Sequence, residues 1–184
     1  MGKSKHKHYS FTGFVIKSVP FLLMMLLTAG CTRRASYPAP APDQAFSLSE
    51  RLEKIKMTDL DGRAFTLRNL AGKPVFLNFW ATWCGPCKSE MASIQTVSRQ
   101  LNEDIVFLAV SSEDPAKIRA YLEKQAFSFE VAHLDIPYIE AYVVTLPTTL
   151  LIDRNGRLVS EEEGFRIWTD YTNLEKLKAL ASKK

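Results

Sequence analysis

A chain of 184 residues with 46% hydrophobic content is long enough for one packed domain with appendages. Its formal net charge of +4 is accounted for by Lys3, Lys5, Lys7 and Lys17, which precede Cys31 where no Asp or Glu stands; the remainder is balanced and offers no electrostatic case for nucleic acid. Three cysteines are too few for a disulfide scaffold, and His133 is the sole histidine after Cys31, so a structural metal site lacks the ligands it needs.

Residues 1–30 are built like an export signal. A basic start, Lys3-Ser4-Lys5-His6-Lys7-His8, leads to an apolar stretch from Val19 to Leu27 and then Thr28-Ala29-Gly30. That stretch is shorter than the roughly 20 residues of a membrane span, although counting back past Lys17 to Phe11 lengthens it toward a retained anchor. Leu27-Thr28-Ala29-Gly30-Cys31 resembles a bacterial lipobox, with Thr28 where Leu is usual three residues before the Cys. The resemblance implies acylation of Cys31, and Thr32 in place of Asp leans toward the outer membrane. Residues 31–48 are expected to form a tether, because alternating Pro and Ala before Phe46 stiffen a chain to about 3.1 Å per residue.

The folded domain is expected over residues 49–184. Lys54–Met57 and Ala64–Leu67 flank Asp59-Leu60-Asp61-Gly62 and predict a hairpin. Lys73–Trp80 is a dense apolar run of the kind found in a central strand. A helix beginning at Cys84 would place Met91, Ile94, Val97 and Leu101 on one face. Ile105–Val110 predicts a second buried strand, and Asp114-Pro115 starts a helix through Tyr121 and Leu122. Phe127–Val131 predicts a short strand and Pro137–Tyr142 a short helix. Thr148–Asp153 and Arg157–Ser160 surround the hairpin turn Asn155-Gly156, and an amphipathic helix from near Asp170 carries Leu174, Leu177 and Leu180. The order implies an α/β fold with a mixed sheet and helices on both faces.

Chemistry concentrates in Cys84-Gly85-Pro86-Cys87. At a helix start the first sulfur meets unsatisfied N–H groups and the dipole, which stabilise a thiolate, while Cys87 lies one turn deeper on the same face. Asn78-Phe79-Trp80-Ala81-Thr82-Trp83-Cys84-Gly85-Pro86-Cys87-Lys88 resembles the active-site segment of thioredoxins. The leading hairpin, Leu70-Ala71-Gly72-Lys73-Pro74 and Glu90-Met91 narrow the likeness to the TlpA/ResA-like group. The resemblance implies a thioredoxin fold with an N-terminal β-hairpin extension, no cofactor, and thiol–disulfide exchange on protein substrates. It casts Cys84 as nucleophile, Cys87 as resolving thiol, Trp83 as part of the approach surface and Pro147, in Leu146-Pro147-Thr148, as a cis proline facing the pair, with the backbone beside Leu146 and Thr148 expected to bind an extended substrate segment.

Thioredoxins proper carry a buried Asp at the position of Asn78, and an amide cannot take the proton that Cys87 must lose. Glu90, three residues after Cys87, matches the Glu found near the pair in TlpA/ResA-like proteins and is expected to assume the acid–base role. Gly-Pro between the cysteines resembles the reducing members, and the group's members draw on a membrane thiol donor. Two alternatives stand beside this reading. One is a peroxidase of the same fold, whose Pro-x-x-x-Thr-x-x segment before the Cys is missing here; the other is a non-catalytic module that holds cysteine-containing clients.

Overall fold

The computed structural model describes residues 47–125 and 127–182. The expected export signal, the lipidation site Cys31 and the tether as far as Phe46 lie outside these residues.

A short helix α1 (Glu50–Glu53) is followed by β1 (Lys56–Asp59), β2 (Ala64–Thr66), a 3-10 turn Leu67–Leu70 and β3 (Val75–Phe79). Next come α2 (Gly85–Leu101), β4 (Val106–Ser111), α3 (Pro115–Leu122), β5 (Glu130–Leu134) and a second 3-10 turn, Tyr138–Ala141. The chain closes with β6 (Thr148–Ile152), β7 (Leu158–Glu163) and α4 (Tyr171–Ser182). The strands form one seven-stranded sheet in the order β2-β1-β5-β4-β3-β6-β7. β3 pairs parallel with β4 and antiparallel with β6, and β4 pairs parallel with β5, which makes the sheet mixed as expected.

All five residues of β3 are buried, and their alternation sorts them between two layers. Val75, Leu77 and Phe79 face a cluster with Leu52, Met57, Phe65, Leu67 and Leu150, covered by α1 and the 3-10 turns. Phe76 faces the other cluster, where Met91, Ile94 and Val97 of α2, Ile118 of α3 and Leu177 and Leu180 of α4 pack. Asn78 shares the helical face with Phe76, so a polar side chain stands where periodicity alone would place an apolar one.

The predicted hairpin forms as β1 and β2, with Met57 opposite Phe65 and Asp59 receiving the N–H groups of Asp61 and Arg63 across the turn. Gly62 has φ of +87°, a conformation that costs a residue without Cβ least. Lys54 is not part of that hairpin; it ends α1, a single turn too short to leave a periodic signal. Strand β5 begins at Glu130, not Phe127. Phe127 and Phe129 instead stack on each other at 4.8 Å, so the apolar run that reads as a strand is partly a packing pair ahead of it.

The sheet ends at β2, three residues long, and at β7, whose last residues are Glu161, Glu162 and Glu163. Arg51 of α1 grips Glu161 with two 2.6 Å hydrogen bonds and donates to the Ala141 carbonyl at 3.0 Å, tying the N-terminal turn to both β7 and the second 3-10 turn. Phe76 is fully buried between Phe107 and the edge of Trp168, with centroids 5.0 and 4.6 Å away. Phe76→Ala is expected to cost about 3–5 kcal/mol in chemical denaturation, the usual range for emptying an aromatic core position.

Candidate active site

Cys84 is the N-cap of α2, with Pro86 in the first turn, where its missing N–H costs nothing. It is disulfide-bonded to Cys87 across a Cα–Cα distance of 5.3 Å. The Cys87 N–H points at Cys84 Sγ from 3.2 Å, and the same donor is in place for a thiolate once the bond is reduced. Cys87 is fully buried and Cys84 only 5% exposed, so the outer sulfur is the one a partner can reach.

The loop that delivers Cys84 is fixed from two sides. Tyr138 donates its hydroxyl to the Trp80 carbonyl at 2.6 Å and accepts the Ser112 N–H at 3.1 Å. The Glu113 carboxylate takes the Thr82 N–H at 2.6 Å and the Thr82 hydroxyl at 2.8 Å. Tyr138 and Glu113 carry no motif signal, because their task is to satisfy backbone groups of a segment distant in sequence.

Glu90 follows Cys87 by one helical turn and is 1% exposed. Its Oε1 accepts Asn78 Nδ2 at 2.7 Å, and its Oε2 accepts the backbone N–H of Arg166 at 3.0 Å. Asn78 Nδ2 also donates to Thr149 Oγ1 at 3.0 Å, while its Oδ1 has no hydrogen-bond partner among the described residues. Burial drives the Glu90 pKa up to about 7, against the opposing pull of the Arg166 N–H, the Asn78 amide, the Arg166 charge and the nearby Trp168 indole. An Asp at residue 78 would set two carboxylates against each other; an Asn donates to Glu90 instead. Arg166 carries no motif signal, since the hydrogen bond it gives Glu90 comes from a backbone group that every residue but proline has.

The Leu146–Pro147 peptide is cis, as the resemblance implied, and Pro147 is buried. Its carbonyl accepts the Gly164 N–H at 2.8 Å. Thr148 is buried at the start of β6, in register with Phe79 and Glu163, and its hydroxyl donates to the Thr145 carbonyl at 2.7 Å. Leu146 is half-buried, and its backbone N–H and C=O have no protein partner among the described residues. Trp83, 69% exposed, borders an apolar cavity of about 490 Å³ with Tyr138, Ile139, Val143, Val144 and Leu146. Among the described residues no group of three His, Cys, Asp or Glu is placed to hold a metal ion.

A family model described as the AhpC/TSA family matches residues 48–161. The thiol-disulfide oxidoreductase ResA of Bacillus thuringiensis subsp. konkukian (strain 97-27) is 32% identical over 128 residues, covering 66% of this chain and 73% of that protein. The chain belongs to the AhpC/TSA family and, within it, to the ResA-like thiol-disulfide oxidoreductases. The fold is that of a crystal structure from Chlorobium tepidum assigned as a thiol:disulfide interchange protein DsbE, with TM-score 0.64 and 24% identity over 74% of this chain and all of that one. The pneumococcal exposed lipoprotein thioredoxin of Streptococcus pneumoniae strain TIGR4 aligns with TM-score 0.58 and 25% identity over 68% of this chain and 98% of that one. The protein is thus a thiol-disulfide oxidoreductase of thioredoxin fold, and the Cys84–Cys87 pair is its redox centre.

The raised pKa of Glu90 makes stability depend on pH with a definite sign. Its carboxyl titrates near 4.5 when unfolded and near 7 when folded, so the native state holds the proton more tightly. The stabilisation is fully present below pH 4.5 and is lost as pH rises through 7. In chemical denaturation of the oxidised protein, stability relative to Glu90→Gln is expected to fall by about 3 kcal/mol between pH 4.5 and 7.5 and to change little above it; a difference constant across that range contradicts the burial argument.

Proposed function

We propose that the protein reduces protein disulfides outside the cytoplasm. The observation that carries this reading is the pairing of a capped, reachable sulfur with a buried carboxyl one turn below the second sulfur, poised to exchange protons near neutral pH. In the reduced enzyme the Cys84 thiolate attacks a client disulfide, one client sulfur bonding to Cys84 while the other leaves as thiolate. Glu90 takes the proton of Cys87, and the new thiolate attacks Cys84 Sγ. The Cys84–Cys87 bond forms, the second client sulfur is released, and the client has gained two electrons. The proton on Glu90 then passes to a released thiolate or to water. A membrane-held thiol donor restores the dithiol.

The client approaches as an extended segment. The unpaired N–H and C=O of Leu146 receive its backbone, as a sheet edge receives an added strand, and the cavity beside Trp83 takes an apolar side chain next to the client cysteine. Pro147 and Thr148 hold that loop: the first through its carbonyl on Gly164, the second through its hydroxyl on Thr145.

Export by residues 1–30 and acylation of Cys31 place this chemistry on the periplasmic side of a membrane, the outer one by the residue that follows the Cys. The lipobox-like segment supports the anchor, as does likeness to a pneumococcal lipoprotein. Each buried methylene of an acyl chain contributes about 0.8 kcal/mol, so more than one chain is needed to hold a folded domain at a bilayer.

Cys87→Ala removes the resolving thiol. Expressed in the native compartment, this variant is expected to accumulate mixed disulfides on Cys84 that reducing agent releases, whereas Cys84→Ala accumulates none. Absence of any trapped partner on Cys84 overturns the exchange mechanism.

A further inference from the structure

The segment Gly164–Trp168, between β7 and α4, runs across the floor of the redox site. Gly164 has φ of +77° and donates its N–H to the Pro147 carbonyl at 2.8 Å. Arg166 donates its N–H to Glu90 Oε2 at 3.0 Å, and Trp168 donates its N–H to Ser93 Oγ at 3.1 Å. Alternate residues of one short strap therefore hold the cis-proline loop, the buried carboxyl and the next turn of α2.

What anchors the strap is a cluster of charges on its far side. Glu162, at the end of β7 and 6% exposed, accepts Arg166 Nη2 at 2.7 Å, Lys176 Nζ of α4 at 2.6 Å and the Ser160 hydroxyl. Burial works against ionising Glu162, but Lys176, Ser160 and Arg166 outweigh it and hold its pKa below the usual carboxylate value. The two pairs tie the Arg166 side chain and α4 to the end of β7.

We propose that Arg166 is a positioning residue for the proton-transfer step: pinned by Glu162 and backed by Lys176, it uses its backbone N–H and its guanidinium charge to set how readily Glu90 gives up its proton. This rests on the acid–base role of Glu90 given above. The groups around Glu90 are few. Asn78 faces it from β3 with Thr149 of β6 behind, Cys87 precedes it on α2, Ser93 bonds its backbone carbonyl, and Arg166 and Trp168 approach from the strap. Among these described residues Arg166 is the charged one, and both of its contributions favour the carboxylate.

Loss of that charge leaves Glu90 protonated to higher pH, and resolution by Cys87, which needs the carboxylate, moves with it. The test is stopped-flow reaction of the reduced full chain with a small aromatic disulfide, where the second thiolate release reports resolution, across pH 5 to 10. Arg166→Gln is expected to raise the midpoint of that phase by about one pH unit, a tenfold change in proton affinity. Arg166→Lys is expected to restore most of it, and in a Glu90→Gln background Arg166→Gln is expected to move nothing further. If Glu90→Gln leaves the wild-type midpoint in place, the acid–base reading falls and this inference with it. If Glu90→Gln abolishes the midpoint but Arg166→Gln leaves it unmoved, the role of Arg166 alone is overturned. Thermal unfolding checks that the variants are folded. Should Arg166→Gln fail that check, Lys176→Gln, which weakens the anchor and keeps Arg166, is expected to shift the midpoint upward by less; an unmoved midpoint in that variant overturns the proposal equally.

Discussion

The carboxyl group of Glu90 is closed off from solvent between β3 and α2, and the surrounding groups answer to it. Each of its oxygens needs a hydrogen, and protein groups supply both. One comes from Asn78, which in turn occupies Thr149; the other comes from the backbone of Arg166. β3, β6, α2 and the strap after β7 are thereby bound to a single side chain. A donor at residue 78 is compatible with a charge at residue 90, whereas a second carboxylate there would oppose it. Asn78 and Glu90 read as one choice made at two positions.

A parallel constraint governs the outer sulfur. Cys84 must sit at the start of α2 while the chain before it crosses from the end of β3 to the surface. That crossing leaves the Trp80 carbonyl and the Thr82 N–H without ladder partners, and Tyr138 and Glu113 satisfy them. Because the same Tyr138 also walls the apolar cavity, the aim of Cys84 and the shape of the surface beside it are set by one ring.

Much of the fold was legible because its signals were local. β3 announced itself as an unbroken apolar run, α2 by Met91, Ile94 and Val97 at helical spacing, and the β6–β7 hairpin by Asn155-Gly156. Cys84, Cys87, Glu90 and Pro147 were legible because the motif around the pair resembles a known group, and Asn78 because it departs from that group's sibling. Other features were not legible because they depend on long-range placement. α1 is a single turn held by Arg51 to residues about 90 and 110 positions away. Phe127 and Phe129 have strand-like composition but pack on each other. Arg166, Tyr138 and Glu113 act on backbone groups or through them, and nothing in a side chain's identity advertises which distant carbonyl or amide it will meet. The burial of Thr148 has the same origin: the loop motif locates the residue, and only the sheet register, with Phe79 of β3 on one side and Glu163 of β7 on the other, shows it enclosed.

The two ends of the sheet bear on how the folded chain avoids pairing with copies of itself. An open strand edge is the usual route to unwanted pairing between copies of a chain. Here one edge, β2, is three residues long, and the other carries carboxylates at Glu161, Glu162 and Glu163. A visiting strand gains too few hydrogen bonds at the first and meets like charge or occupied ion pairs at the second. The peptide at Leu146, unpaired among the described residues, lies on neither edge strand, so self-association is discouraged at both ends of the sheet without closing that loop.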